Sequence, residues 1–104
     1  MSATKFKAID TSTSGNTVLV AAASGKKIRV LSYTVVAGGP VTVKFNDGSN
    51  DLTGPITLSA AGDGGSASLP EGGLFETPAG SALNINLSAA VQVGGHITYI
   101  EVMQ

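Results

Sequence analysis

At 104 residues the chain is long enough for one domain, residues 1–104, and too short for two hydrophobic cores. Only 12% of its residues are charged, its net charge is −1 and it has no cysteine, so disulfides, thiolate metal sites and cysteine nucleophiles are excluded. So few charges suggest that copies of the chain itself, or a partner, cover much of its surface.

The first half of the chain predicts strands, because short β-branched runs alternate with turn residues. The first strand is edge-like, with Phe6 as its anchor, and residues 1–8 are also a candidate N-terminal arm that could pair with a neighbour by strand addition. Val43 and Phe45 in the fourth strand are expected to point inward. The predicted strands lie at residues 5–10, 16–23, 26–37 and 41–45.

The longest of these strands changes phase midway. Ile28 and Val30 alternate with charged residues, whereas beyond them Leu31, Tyr33 and Val35 alternate with polar ones. Side chains alternate with a period of two, so one residue has shifted the apolar set. Either a bulge near Val30 and Leu31 or a strand that bends between two sheets would produce this shift.

The second half of the chain predicts further short strands separated by Gly-rich turns. The first is interrupted by Gly54-Pro55, which suits an edge because proline cannot donate to a ladder. The last is expected to be broken by Gly94-Gly95. The predicted strands lie at residues 52–59, 66–69, 74–77, 81–88 and 91–103.

Eight or nine short strands without a helix predict an all-β fold, a two-sheet antiparallel sandwich of jelly-roll or related Greek-key type. In the strand at residues 81–88, Leu83, Ile85 and Leu87 are expected to fill the space between the sheets. Asn84 and Asn86 are then expected on the outer face, which is either wet or paired with another chain.

The ends of the chain differ in charge. All six basic residues precede residue 45, and the acidic residues that follow have no basic neighbour in sequence. This separation is either compositional noise or charge complementarity between neighbouring subunits. The amino terminus has no long apolar run, so we expect neither a signal peptide nor a membrane anchor. We therefore expect the chain to be made in a cytoplasm.

Three sequence features could take part in catalysis or ligand binding, but each lacks residues that such a site needs. His96 is the single histidine, and Glu101 would lie on the opposite strand face, so an acid–base pair is not expected. Asp47, Ser49 and Asp51 alternate as in a calcium loop, but the glutamate that closes such a loop is missing. The GDGG stretch at residues 62–65 has no following GK[ST] and no helix, so turn glycines explain it better than a phosphate loop.

Two binding classes are also disfavoured. Nucleic-acid binding would need exposed aromatic residues or an overall basic balance beside the lysines of the first half. Carbohydrate binding would place aromatic platforms beside Asn84, Asn86 and Gln92, yet tryptophan is absent. No catalytic order or cofactor motif remains, so we expect neither an enzyme nor a bound cofactor, and no nucleic-acid or membrane partner.

Several fold-like motifs lie along residues 16–103. These are KIRVLSY, V-T-V-x-F with LTGPI after it, FET-x-AG-x-AL-x-I-x-LS and VGGH-x-TY. In these motifs the chain resembles a family of small virion-associated proteins of tailed bacteriophages and prophages.

The resemblance implies a β-sandwich on the outer surface of a phage particle. It implies a capsid decoration, or cement, protein that bridges major capsid proteins, with a head-fibre, tail-fibre or tail-tip module that touches host glycans as the alternative. We also expect a homo-oligomer, with a trimer favoured over a dimer. Its interface residues are expected to be Lys5, Phe6, Lys7, Asn84 and Asn86.

Overall fold

The computed structural model describes residues 4–69 and 72–103. These residues contain nine strands and no helix, which confirms the predicted all-β class. The strands are β1 (Lys5–Thr11), β2 (Gly15–Val20), β3 (Lys26–Ala37), β4 (Val41–Asn46), β5 (Ile56–Leu58), β6 (Gly64–Ser68), β7 (Phe75–Glu76), β8 (Leu83–Leu87) and β9 (Val93–Met103).

The strands form two antiparallel sheets. Sheet 1 has the order β1-β9-β3-β6, with the short β7 pairing with β3 beside β6, and sheet 2 has the order β2-β8-β4-β5. The chain crosses between the sheets several times, so strands that are neighbours in a sheet are mostly distant in sequence. This is the eight-strand order of a jelly roll, with β7 added at one edge, and it confirms the predicted two-sheet sandwich.

The core lies between the sheets and follows the alternation of apolar residues. Val43 and Phe45 point inward as predicted, and Phe45 is completely buried. Its ring lies 5.4 Å from that of Tyr33 and 5.6 Å from that of Phe75, measured between centroids. Because Tyr33 and Phe75 belong to sheet 1 and Phe45 to sheet 2, this aromatic cluster joins the two layers.

A bulge accounts for the phase change in β3. The register between β3 and β9 shifts between Val30 and Ser32, so Leu31 is the extra residue. Insertion of one residue restores the apolar set to the core face, and Ile28, Val30 and Val35 are all buried. The first of the two predicted explanations, a bulge near Val30 and Leu31, is therefore confirmed.

The predicted break at Gly94-Gly95 is wrong, because β9 runs without interruption from Val93 to Met103. Gly95 has a φ of +146°, and a Cβ atom there would overlap the carbonyl oxygen of Thr34 on the neighbouring β3. The glycine is needed for the close approach of two backbones inside the sheet, and a turn is not its role.

Some predicted strands are shorter in the structure. Residues 52–59 contain only the three-residue β5, since Pro55 interrupts the ladder. Before the proline, the chain still follows β4: the Leu52 N–H donates to the Phe45 carbonyl at 2.8 Å, and the Phe45 N–H donates to Thr53 Oγ1 at 3.1 Å. β2 likewise ends at Val20, three residues before the predicted end.

Candidate interaction surfaces

The described residues hold no cluster suited to chemistry. Within residues 4–69 and 72–103, no three His, Asp or Glu side chains lie together as metal ligands would. His96 is exposed on the outer face of sheet 1, where its register neighbours are Ala8 and Thr34. The Glu101 carboxylate instead accepts a hydrogen bond from Lys5 Nζ at 2.6 Å. The histidine therefore has no acid across the ladder to orient it.

The loop that contains Asp47 is folded on itself. The Asp47 carboxylate accepts hydrogen bonds from the backbone N–H of Asn50 at 2.6 Å and of Ser49 at 2.8 Å. These bonds stabilise the charged form and lower the pKa of Asp47 below its usual value. Asp51 pairs with Lys44 at 3.2 Å. Both candidate calcium carboxylates therefore have partners inside the chain, and the loop is a turn.

The GDGG stretch likewise belongs to the fold. Gly62 has a φ of +90° and its N–H donates to the Ala37 carbonyl at 2.8 Å, so it completes a turn. Gly64 and Gly65 lie within β6. No helix begins in this part of the described chain, and the N–H groups of Gly62 and Asp63 already donate to the carbonyls of Ala37 and Ala60.

Asn84 points away from the core, as expected. The outer face is not open to solvent at this position, however, because the side chain is only 6% exposed. The loop after β4 lies over it, and a Cβ atom at Gly48 would be 3.6 Å from Asn84 Nδ2. Asn86, two residues further along β8, is half-buried. The loop, which the sequence places far from β8, explains the burial.

Asn84 and Asn86 are members of a four-asparagine network that crosses sheet 2. Asn84 Nδ2 donates to Asn46 Oδ1 at 3.1 Å, and Asn46 Nδ2 donates to Asn16 Oδ1 at 2.9 Å. Asn86 Nδ2 donates to the same Asn16 oxygen at 2.8 Å. The network ties β2, β4 and β8 together and holds the loop through the Gly48 N–H, which donates to Asn46 Oδ1 at 3.0 Å. Its role in this chain is structural.

We expect Asn46→Ala to lower the free energy of unfolding by about 2–3 kcal/mol, because it removes the central member and leaves buried groups unpaired. Asn86→Ala is the matched control, since Asn86 makes one bond at the exposed end of the network, and its cost should stay below about 1 kcal/mol. Urea unfolding of both variants checks this. Equal losses would mean that the network does not stabilise the fold.

The residues proposed for the N-terminal arm lie in β1. Lys5, Phe6 and Lys7 pair with Tyr99, Thr98 and Ile97 of β9, so residues 5–8 are part of sheet 1. Residues 1–3 lie outside the described residues. Phe6 is 81% exposed and does not anchor the strand in the core, because its side chain lies on the outer face of the sheet.

The basic residues of the first half pair with acidic residues of the second half within the chain. Lys5 Nζ lies 2.6 Å from Glu101 Oε1. This contact raises the pKa of Lys5 and lowers that of Glu101. Arg29 Nε and Lys27 Nζ lie 2.8 and 3.6 Å from the Glu76 carboxylate. Because the two halves interleave in the sandwich, the separation of charge along the sequence does not divide the surface into two poles.

The pKa of Glu76 is lowered from its usual value of 4.5, first by the hydrogen bond from Arg29 and then by the charges of Arg29 and Lys27. A depressed carboxyl pKa adds stability above the unfolded value, and this stability is lost as the pH falls below 4.5. Between pH 6 and pH 3, we expect the free energy of unfolding to fall less in Glu76→Gln than in the wild type. The difference should be under about 1 kcal/mol because the pair is partly solvated. Urea unfolding at several pH values measures this. The same change in the free energy of unfolding with pH in both proteins would contradict the prediction.

The outer face of sheet 1 carries mostly small side chains where β1, β9, β3 and β6 pair. Two register rows cross it from β1 to β6: Phe6, Thr98, Ser32, Ser68 and Ala8, His96, Thr34, Ser66. Neither row contains Lys, Arg, Asp or Glu. Ser32 Oγ and Thr98 Oγ1 share a hydrogen bond on this face, so part of its polarity is already satisfied. Such a surface can be covered by another protein at little electrostatic cost.

The residues considered for a sugar site do not meet. Asn84 and Asn86 lie on sheet 2, whereas Gln92 Nε2 donates to Asp10 Oδ1 at 2.6 Å beside sheet 1. Tyr33 and Tyr99 are partly buried against the core. Among the described aromatic residues only Phe6 is largely exposed, and it lies on the other sheet from the asparagines. The aromatic platform that a glycan site needs is not formed by these residues.

No protein family model and no curated protein matches this chain. Solved structures resemble it to different degrees. A chain of Bacillus endospore appendages, described as a novel family of disulfide-linked pili, is 20% identical with a TM-score of 0.56, over 99% of this chain and 88% of its own. A chain of the virus-like particle of the extra small virus of the giant freshwater prawn Macrobrachium rosenbergii is 17% identical, with a TM-score of 0.45 over 96% and 78%. Eiger TNF of S. frugiperda is 10% identical, with a TM-score of 0.38 over 97% and 94%.

The first of these likenesses concerns the fold alone. The other two have TM-scores below 0.5 and are too weak to indicate a shared fold. Among the described residues there is no helix long and apolar enough to cross a membrane.

Proposed function

We propose that the chain is a non-enzymatic structural protein of a phage particle, a capsid decoration protein that joins copies of itself and major capsid proteins on the outer surface. The observation that carries the proposal is a jelly roll whose outer sheet face has rows of mostly small, uncharged side chains, with no assembled reactive group among its described residues. The phage-protein motifs of β3, β4, β8 and β9 support the same assignment. Synthesis would take place in the host cytoplasm.

The endospore appendage chain supports a role in assembly, since its fold serves as the subunit of a pilus. Its disulfide linkage cannot operate in the present chain, which has no cysteine. Contacts between copies of this chain would therefore form without disulfides and depend on shape, backbone hydrogen bonds and burial of small side chains.

Each copy would act by bridging neighbours. A specific contact buries about 800 Å² per partner, which is about 15% of the 5273 Å² surface of the chain. Repetition across a lattice makes such contacts act together, since opening one junction requires several linked contacts to break. The particle then resists internal pressure even if each single contact is weak.

A fibre or tail-tip module is the second candidate. It is favoured by the appendage chain, whose fold builds a filament and not a closed shell. The two roles differ in where the chain lies on the particle, and both rely on contact without chemistry.

The proposal is tested on particles with and without the protein. Particles that lack it should release their genome at a lower temperature, and addition of the purified chain should restore the original value. The Phe6→Ala variant, which alters an exposed outer-face side chain without affecting the core, shows whether sheet 1 takes part. Equal heat stability of particles with and without the protein would overturn the decoration role.

A further inference from the structure

The four edge strands of the sandwich differ in how they avoid pairing with other chains. An edge strand exposes unpaired backbone groups, and proteins guard such edges with charged residues, bulges, proline or short length. β1 carries the exposed Lys5 and Lys7. β2 has a register shift between Val18 and Val20. β5 is three residues long and follows Pro55.

β6 lacks all of these guards. Its five residues, GGSAS from Gly64 to Ser68, include no charge and no proline. Its register with β3 is regular throughout. Its side chains are no larger than serine, so another backbone can approach closely along the whole strand. β7, on the same edge, is only two residues long.

The free hydrogen-bonding groups of β6 can be assigned from its pairing with β3. The Leu69 N–H donates to the Leu31 carbonyl at 2.9 Å, and the Ala37 N–H donates to the Asp63 carbonyl at 2.8 Å. In an antiparallel ladder the bonded pairs alternate, so the odd-numbered residues of β6 face β3. The N–H and C=O groups of Gly64, Ser66 and Ser68 therefore point away from the sheet.

We propose that β6 is a self-association edge that pairs antiparallel with β6 of a second copy, about a twofold axis at Ser66. Ser66 then lies opposite Ser66 of the partner subunit, and Gly64 lies opposite Ser68 of the partner subunit. Sheet 1 becomes continuous across the two copies. This inference rests on the proposed function, and names the surface through which copies of the chain would associate.

The composition of β6 favours a second copy over a foreign strand. Strand addition gains affinity from the backbone, but its specificity comes from side-chain pockets. The small side chains of β6 provide none, so a partner must be supplied at high local concentration, as in an assembly. Pairing β6 with itself also avoids bringing the lysines of β1, the bulge of β2 or Pro55 into the contact.

Neighbouring residues fit the same arrangement. Val36 and Leu69, which lie next to opposite ends of β6, are 46% and 52% exposed and would lose part of that exposure. Asp63 directly precedes β6, and its carboxylate accepts hydrogen bonds from the N–H groups of Ser59 and Ala60 at 3.0 and 3.1 Å, which holds it in its own turn. About the Ser66 axis, the two Asp63 residues lie about 20 Å apart, too far for strong repulsion.

A twofold contact departs from the trimer that the sequence favoured. A symmetric edge pair uses the same strand on both copies and closes with two of them. Contacts with other virion proteins would then use the remaining surfaces, including the outer face of sheet 1.

Sedimentation of the full-length chain over a concentration series tests the pairing. We expect the wild type to approach twice the 10.3 kDa mass of one chain. Ser66→Lys should weaken the dimer at least about tenfold, because two ammonium groups would face each other at the axis. Thr57→Lys, an equal change on β5, should leave it intact. Ser66→Pro is a second variant: it removes an outward N–H that no internal bond uses, and should give the same loss.

Amide hydrogen exchange provides an independent measurement. Gly64, Ser66 and Ser68 should exchange slowly at concentrations where the dimer forms, and rapidly in folded Ser66→Lys or on dilution. Gly65 and Ala67, which face β3, should stay protected in every sample. A wild type that stays monomeric, or a Ser66→Lys protein that dimerises as the wild type does, would overturn the pairing. The particle-stability experiment decides separately whether the proposed function fails.

Discussion

Gly95→Ala is expected to be the most damaging single substitution in the chain. The new Cβ would overlap the Thr34 carbonyl within the β3–β9 pair, at a backbone φ of +146° that alanine rarely adopts. Separation of the two central strands of sheet 1 would disturb its longest ladder. We expect a loss of more than about 4 kcal/mol in the free energy of unfolding, or a fall of more than about 15 °C in melting temperature.

Gly65→Ala is the matched control. Gly65 also lies inside a strand of sheet 1, but a Cβ atom there would meet nothing within 4 Å. Its cost should stay within about 1 kcal/mol. Thermal unfolding followed by circular dichroism measures both variants. Similar melting temperatures for the two would show that the close approach at Gly95 does not constrain the sheet.

Phe45→Ala is expected to have the second largest effect. Phe45 is completely buried and joins the sheets through the rings of Tyr33 and Phe75. Truncation removes these contacts and leaves a cavity between two rigid layers. We expect a loss of about 3–5 kcal/mol in the free energy of unfolding, read from the urea midpoint at constant m-value.

Phe6→Ala makes the same chemical change on a residue that is 81% exposed. Its effect on the isolated chain should be within about 0.5 kcal/mol. A comparable loss in the two variants would mean that Phe6 packs against the fold in solution, in conflict with its place on the outer face of β1.

The sequence was sufficient for the fold class because its apolar residues alternate in most strands. β3 was predicted with its bounds intact, and its phase change correctly indicated the bulge at Leu31. The Gly94-Gly95 pair was misread, because glycine marks both turns and close backbone contacts. Only the pairing of β9 with β3 distinguishes these roles, and strand pairing over sixty residues is not written in local sequence.

The surfaces were less accessible to sequence reasoning. Alternation correctly placed Asn84 on the side of β8 away from the core, but the loop that covers it comes from β4. The asparagine network was missed, although Asn16, Asn84 and Asn86 lie within predicted strands and Asn46 directly follows one. The unguarded edge of β6 was missed too, since nothing in its own sequence marks it as an edge strand and its position follows only from the sheet order.

An electron cryo-microscopy map of the native particle or appendage, purified from cells that make the chain, tests the central claim most directly. The claim is that this protein acts by repeated contact and without chemistry. The map should show jelly-roll densities with the 39 × 25 × 20 Å extents of the chain at regular surface positions, each touching neighbouring subunits. Particles that contain no such density, while the protein remains in the cell as a free single chain, would contradict it.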